Sequence, residues 1–275
     1  MYETYYGLKE KPFSIQPDPD FLFMSKRHRL AFTMLEYGIQ NRVAFSVICG
    51  EIGCGKTTLV RKLLASLDDS VTVGLVYNTH TDIADLLEWI MLAFGQPYQA
   101  ATQVERYDRF QRFLLAEYAA RRRVVLVVDE AQNLSASALE SLRMLSNINA
   151  DKDQLLQVVL VGQPQLKALL ARPELHQFTQ RIGVDFFLPP LRGPEVAEYI
   201  RYRLSVAGRK QDLFTDDAIA LISHVSGGVP RSINILCDTA LVYGYAAEAA
   251  AIDSSLVQEV LQDRKDYGIL RSDPA

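Results

Sequence analysis

Cysteine is scarce. The 275 residues hold three, Cys49, Cys54 and Cys237, an odd number at spacings that fit neither a metal site nor a disulfide framework. A reducing compartment is the simplest expectation. Cys49 and Cys237 read as small buried residues. Cys54 lies inside a glycine-rich loop, where an ordinary loop position is favoured over a redox-sensitive thiol. Long apolar runs are also missing. No stretch reaches about 18 uncharged apolar residues, and the nearest approach, residues 236 to 252, is broken by Asp238 and Glu248. The N-terminus opens on Tyr2, Glu3, Tyr5 and Tyr6 instead of the basic-then-apolar order of a signal peptide. The expectation is a cytoplasmic protein without a transmembrane segment, or one that docks on a membrane partner. Positive charge is not in excess either. The net charge of −4 argues against a broad nucleic-acid-binding surface. Up to Arg192 there are 21 Lys/Arg and 21 Asp/Glu, and from Gly193 onward 8 and 12, so the C-terminal part is acidic and the main body neutral. Repeats and low-complexity tracts are absent.

What the chain does contain is Gly50-Glu51-Ile52-Gly53-Cys54-Gly55-Lys56-Thr57, which meets every fixed position of G-x-x-x-x-G-K-[ST]. An apolar run of strand length, Val43 to Cys49, precedes it, and Thr58 to Leu64 reads as helix. Glycines let the backbone curl so that successive N–H groups face an anion, and the helix N-terminus adds partial positive charge. Lys56 suits the outer phosphates and the Thr57 hydroxyl suits a magnesium ion. Residues Gly50, Glu51, Ile52, Gly53, Cys54, Gly55, Lys56, Thr57 and Thr58 are therefore the candidate contacts of a nucleoside triphosphate.

Around this loop the chain alternates strands and helices. Residues 1 to 25 are rich in aromatics and prolines and read as an extended segment packing its rings on the body. Ser25 caps a helix over Lys26 to Gln40. Strands are expected at Val43–Cys49, Val71–Tyr77, Val124–Val128, Leu155–Val161 and Val184–Leu188, and helices at Thr81 or Asp82 to Leu92, Val104–Ala120, Ala138–Leu145 (after Ser135 or Ser137), Gln165–Ala171 and Glu174–Phe178. Apolar strands without alternation imply a parallel sheet covered on both faces. Arg121-Arg122-Arg123 reads as a solvated turn, or less favourably as a nucleic-acid patch. Pro189 to Pro194 is a breaker cluster. Beyond it four helices follow, Glu195–Val206, Asp216–Ser226, Pro230–Tyr245 and Ser254–Lys265. The expected organisation is an α/β nucleotide-binding core with its N-terminal segment over residues 1–192, a helical domain over 193–268 and a loose tail over 269–275.

Phosphoryl transfer needs held phosphates, a metal, an oriented nucleophile and positive charge on the transition state. Asp129 ends an apolar strand, so its carboxylate emerges where ligands bind in open parallel sheets and suits magnesium. Glu130 beside it suits a general base. Gln163, ending the next strand, suits the γ-phosphate or the attacking water. Asn78 either bonds Glu130 and holds it inactive until a partner binds, or is an ordinary loop-start residue. Arg181, about 50 residues past Glu130, suits a neighbouring subunit's site as an arginine finger. Arg231, at a helix start beside Gly227-Gly228-Val229-Pro230, suits the γ-phosphate in cis and would couple nucleotide state to the helical domain.

This layout resembles the AAA+ ATPases, and more closely the ExeA/GspA group of bacterial secretion-associated ATPases (general secretion pathway protein A-like). The matching stretches are Tyr5-Tyr6-Gly7-Leu8, Lys11-Pro12-Phe13, Pro17-Asp18-Pro19, Val128 to Leu134, Leu160 to Pro164, Gln180-Arg181-Ile182, Leu188 to Leu191 and Ser226 to Asn234. The resemblance implies an α/β AAA+ P-loop NTPase fold with a five-stranded parallel sheet core and a C-terminal all-helical lid. By it, Lys56 and Thr57 belong to Walker A and Asp129 and Glu130 to Walker B. Gln163 becomes sensor 1, Arg181 the finger and Arg231 sensor 2, and Pro12 and Phe13 lie near the adenine. ATP or ADP and Mg²⁺ are the implied cofactors. ExeA-type members continue into a membrane span and a peptidoglycan-binding domain, whereas this sequence stops at Ala275 and resembles the shorter form of exosortase and exopolysaccharide loci. Gly183-Val184-Asp185 departs from the expected pattern after the finger.

The leading expectation is an ATP-hydrolysing protein that forms a homo-oligomeric ring or filament and powers or regulates an envelope secretion or export system, in the cytoplasm or peripherally at the inner membrane. The alternative is an ATP-dependent DNA-binding regulator of the transposition-ATPase type, less favoured because the C-terminal part is acidic. A slowly hydrolysing ATP-bound switch is the third.

Overall fold

The computed structural model describes residues 1–77, 86–99, 102–150 and 153–267. In chain order the elements are α1 (Tyr2–Tyr5), α2 (Lys26–Gln40), β1 (Phe45–Gly50), α3 (Lys56–Ala65), β2 (Val71–Val76), α4 (Leu86–Ala93), α5 (Gln103–Ala119) and β3 (Arg123–Val128). After a 3-10 turn at Ala131–Asn133 come α6 (Ala136–Leu145), a two-residue hairpin β4 (Asn149–Ala150) and β5 (Asp153–Gln154), β6 (Leu156–Gly162) and α7 (Pro164–Leu170). A second 3-10 turn at Pro173–Leu175 leads to α8 (His176–Thr179), β7 (Ile182–Leu188), α9 (Gly193–Val206), α10 (Asp216–Ser226), α11 (Pro230–Ala246) and α12 (Ser254–Tyr267). The expected helix start at Thr81 or Asp82 and the 269–275 tail lie outside the described residues. Among the described residues no helix is long and apolar enough to cross a membrane.

The chain divides into two compact units. One comprises Lys26–Glu51 and Leu59–Leu188, the other Met1–Ser25, Ile52–Thr58 and Pro189–Ala275. The first is the α/β unit. Its five strands run in the order β2-β3-β6-β1-β7, and every neighbouring pair is parallel. β1 and β6 are buried at every position and β3 at all but its first, which is why their sequences are almost wholly apolar, Ser46 and Gln157 being the buried polar exceptions. β7 is an edge strand and alternates between buried and exposed positions. Parallel pairing puts all five C-terminal strand ends along one sheet edge. Because β6 lies between β3 and β1, its end stands between theirs.

Polar side chains fasten this unit in ways that a periodicity reading misses. Buried Gln157 of β6 donates through Nε2 to the carbonyls of Gly38 (3.0 Å) and Ile39 (3.3 Å), satisfying the last turn of α2. The arginine triplet is a turn with structural duties. Arg121 takes a left-handed conformation. Arg122 holds Glu117 through two hydrogen bonds of 2.8 and 2.5 Å, and Arg123 reaches the Ser70 hydroxyl at 3.4 Å. That pairing, with a Thr72 hydroxyl donating to the same carboxylate, keeps the Glu117 carboxyl below the usual carboxylate range, Arg122 being the larger cause.

The helical unit packs α9 to α12 around Val196, Ile200, Ile222, Ile233, Leu236 and Leu241. The aromatic N-terminal segment, which the sequence groups with the α/β core, belongs to this unit instead. It opens with the short helix α1 where an extended run is expected. Tyr2, Tyr6, Leu8, Phe13 and Phe21 are buried in the helical core, each large ring contributing roughly 2–3 kcal/mol by leaving water. Arg203 of α9, itself buried, pins the segment. Its Nε donates to the Pro12 carbonyl at 2.5 Å, one terminal nitrogen to the Ser14 carbonyl at 3.0 Å, and its guanidinium lies 4.6 Å from the Phe21 ring centre.

Candidate nucleotide-binding and hydrolysis site

The phosphate loop Ile52–Thr58 groups with the helical unit. Gly53 and Gly55 both take positive φ, +81° and +90°, the conformation a tight anion-binding curl requires. Lys56 opens α3 with its side chain 8% exposed, so a lysine stem is buried while a cation stands at a helix start. Gly53 lies against the first turn of α11. The Arg231 N–H donates to the Gly53 carbonyl at 3.2 Å. A Cβ on Gly53 would sit 2.5 Å from the Arg231 Cβ. Arg231 and the loop, 178 residues apart at Gly53, are thus neighbours within one unit. Cys54 is buried at 1% exposure, and all three cysteines are buried free thiols.

In the α/β unit, β1 delivers Gly50 and Glu51, β3 delivers Asp129 and Glu130, and β6 delivers Gln163 to the same sheet edge. Glu130 takes a left-handed conformation, φ 53° and ψ 36°, uncommon for a residue with a side chain. Its N–H donates to Asp129 Oδ1 at 2.9 Å. Its carboxylate oxygen Oε2 accepts from Gln163 Nε2 at 2.9 Å and from Gln132 Nε2 at 2.5 Å. Among the described residues no cluster of three or more His, Cys, Asp or Glu exists. A cation held here takes few protein ligands and completes its shell with phosphate oxygens and water, which is how magnesium binds in nucleotide sites. Asp129, a hard oxygen ligand at this edge, fits that ion.

Arg181 stands immediately before β7. Since Phe45 pairs with Ile182 and Gly50 with Leu188, Arg181 lies at the opposite edge of the sheet from the strand ends just described, on the order of 20 Å away along the seven-residue β7. One guanidinium nitrogen donates to Ser146 Oγ at 2.7 Å and lies 3.5 Å from the Arg143 carbonyl, at the end of α6. Asn78 lies outside the described residues. The Phe13 ring is 1% exposed and meets Phe214 edge-on at 5.9 Å, and the Pro12 carbonyl is taken by Arg203.

Residues 40–170 match the family described as AAA domain. That match covers 131 of the 275 residues. Among solved structures, the chain is similar to the Aeropyrum pernix ORC2 protein in its ADPNP and ADP complexes, with a TM-score of 0.69, 17% identity, and 93% of this chain and 72% of that chain covered. It is similar to Drosophila ORC bound to DNA at a TM-score of 0.65, 15% identity, and 95% and 65% coverage. It is also similar to the Thermotoga maritima RuvB Holliday junction branch migration motor at 0.55, 17%, 96% and 76%. These likenesses show the fold alone, a parallel α/β sheet with a helical C-terminal region of the AAA+ P-loop kind. In sequence the chain is 41% identical over 99% of its length to General secretion pathway protein A of Aeromonas hydrophila. It spans 50% of that relative's length.

Two side chains at these sites escaped the sequence reading. Gln132 lies in the Ala131-Gln132-Asn133 turn, but its bonds depend on Gln163, 31 residues on. Arg203 sits at a helical position that reads as a solvated charge. The signal for both is three-dimensional: a polar side chain whose partners are distant in sequence.

Proposed function

We propose that this chain is an AAA+ ATPase that binds ATP with magnesium, hydrolyses it, and does so in an assembly of its own copies that powers or regulates a bacterial envelope secretion or export system. The observation that carries the reading is the Glu130–Gln163 pairing at the sheet edge where the phosphate-loop strand also ends. Lys56 and Arg231 neutralise phosphate charge. Thr57 and Asp129 hold the magnesium, which when bound screens the β- and γ-phosphates. Glu130 takes the proton of the attacking water and Gln163 orients that water against the γ-phosphate. The glycines, Glu51, Ile52, Cys54 and Thr58 shape the loop. Pro12 and Phe13 enter as the packed floor of the N-terminal segment near the base.

Arg181 is the trans contribution. Its place at the far edge from its own strand ends supports service to a neighbouring copy's γ-phosphate, and its bond to Ser146 supports a preset orientation. The secretion role rests on the kinship to General secretion pathway protein A, and a position in the cytoplasm or at the inner membrane follows the same kinship.

Steady-state turnover with parallel nucleotide-binding measurements tests the reading: the wild type hydrolyses ATP, Lys56→Ala loses binding, and Glu130→Gln binds without turning over. Full turnover in Glu130→Gln would remove Glu130 as the base. The DNA-binding alternative is favoured by structural relatives such as the DNA-bound Drosophila ORC. A salt-sensitive, ATP-dependent shift of duplex DNA by Glu130→Gln supports it, and no shift rejects it.

A further inference from the structure

Gln132 makes two hydrogen bonds with one amide. Its Nε2 donates to Glu130 Oε2 at 2.5 Å, and its Oε1 accepts the backbone N–H of Gln163 at 2.9 Å. The orientation of that amide is fixed by chemistry. A backbone N–H can only donate, so it selects the oxygen, and an ionised carboxylate can only accept, so it selects the nitrogen. The same Oε2 also accepts from Gln163 Nε2 at 2.9 Å. Glu130, Gln132 and Gln163 therefore close a ring that ties the end of β3 to the end of β6.

The surroundings are shaped for this ring. Glu130 is held in a left-handed conformation that costs about 1–3 kcal/mol and persists only where its neighbours over-determine it. Ala131, next in the 3-10 turn, is fully buried and anchors the turn. A Cβ on Gly162 would stand 3.1 Å from Gln132 Oε1 and 2.7 Å from Leu166 Cδ2. Glycine there leaves room for the glutamine to pass. Bonds to a carboxylate are roughly twice as strong as neutral ones, so two amide donors on one oxygen hold an otherwise freely rotating side chain.

We propose that Gln132 is a positioning residue for hydrolysis: it sets the Glu130 carboxylate and the Gln163 amide in the one relative orientation from which both reach the attacking water. The proposal rests on the reading of Glu130 as general base. Gln132 itself touches neither ATP nor water. Its substitution leaves nucleotide binding alone and lowers the chemical step.

The test uses the full chain and two variants, each in wild-type and Glu130→Gln backgrounds. Gln132→Met keeps volume and removes both bonds. Gln132→Glu keeps the acceptor for the Gln163 N–H and sets a second carboxylate against Glu130. The readouts are kcat, KM, ATP affinity and thermal midpoint. Both variants are expected to lower kcat by on the order of 10²-fold, as a displaced catalytic group does, with ATP affinity and thermal midpoint unchanged. Neither is expected to lower the residual rate of Glu130→Gln further. Wild-type kcat in Gln132→Met overturns the proposal, as does a loss of equal size in both backgrounds, since Gln132 would then not act through Glu130. A matched loss of ATP affinity overturns it as well. Wild-type turnover in Glu130→Gln by itself would instead remove the underlying reading of the base, an outcome separate from any result at Gln132.

Discussion

The backbone N–H of Arg231 donates to the carbonyl of Gly53 at 3.2 Å. This bond satisfies one of the orphan donors in the first turn of α11 with the phosphate loop itself. A side chain at Gly53 meets two obstacles, the +81° φ and a Cβ 2.5 Å from that of Arg231. Gly53→Ala is expected to lower ATP affinity and to cost about 1–3 kcal/mol of stability. Nucleotide titration and denaturant unfolding check both. An unchanged affinity would mean that the loop does not hold the phosphates in this conformation.

Binding and hydrolysis are expected to separate by residue. Lys56→Ala removes the cation at the start of α3 and with it ATP affinity. Glu130→Gln keeps affinity and loses turnover on the order of 10²- to 10⁴-fold, the contribution typical of a general base. Equilibrium nucleotide binding and phosphate release, measured on the same preparations, check the split.

Gln157 gives a stability prediction remote from the chemistry. Its amide closes carbonyls at the end of α2 from a wholly buried strand. Gln157→Leu conserves volume and removes one donor from carbonyls that keep the Val43 and Arg42 N–H groups, which is expected to cost about 0.5–1.5 kcal/mol. Urea unfolding measures the cost, and nucleotide affinity of the folded protein stays as in the wild type.

Much of the fold was legible because burial wrote itself into composition. β1, β3 and β6 are central strands, and their apolar runs announce a sheet covered on both faces. β7 begins at Ile182, two residues before the expected Val184, because an edge strand alternates and Gly183 hides its start. The β4–β5 hairpin has two-residue strands, too short for any period. The N-terminal segment showed that it packs, but not on which unit, since aromatic content carries no address. At the sheet edge, Asp129, Glu130 and Gln163 were proposed from the sequence because each follows an apolar run, and the structure brings the three together. Gln132 was not, because a glutamine in a short turn looks like any solvated one until Gln163 is beside it. The arginines form the expected turn into β3, but that Arg122 is balanced by Glu117 five residues earlier is something no residue count reveals.

The acid limb of stability has a named contributor in the helical unit. Asp217, in the first turn of α10, accepts from Ser254 Oγ at 2.5 Å, and from Thr215. These bonds, Ser254 the larger cause, bring its carboxyl down to about 2, against roughly 3.9 in an unfolded chain. A lowered folded value means stability that is fully present above the unfolded value and is lost as pH falls through the folded one. Thermal midpoints are expected to decline between about pH 4 and pH 2 partly through this group. Asp217→Asn is expected to show a shallower decline over that window. A parallel decline in both proteins would remove Asp217 from the account.

The most direct test of the central claim, that one copy's Arg181 completes another copy's site, is turnover in a mixture of two inactive variants. Arg181→Ala keeps its own phosphate loop, Asp129 and Glu130. Glu130→Gln keeps Arg181 and still binds ATP. Each alone is expected to be nearly inactive. Mixed in equal amounts with ATP and magnesium, they are expected to hydrolyse ATP well above the sum of the two, because an intact site then meets an intact arginine. A mixture no more active than its separate components, or an Arg181→Ala protein with wild-type turnover by itself, would contradict the claim.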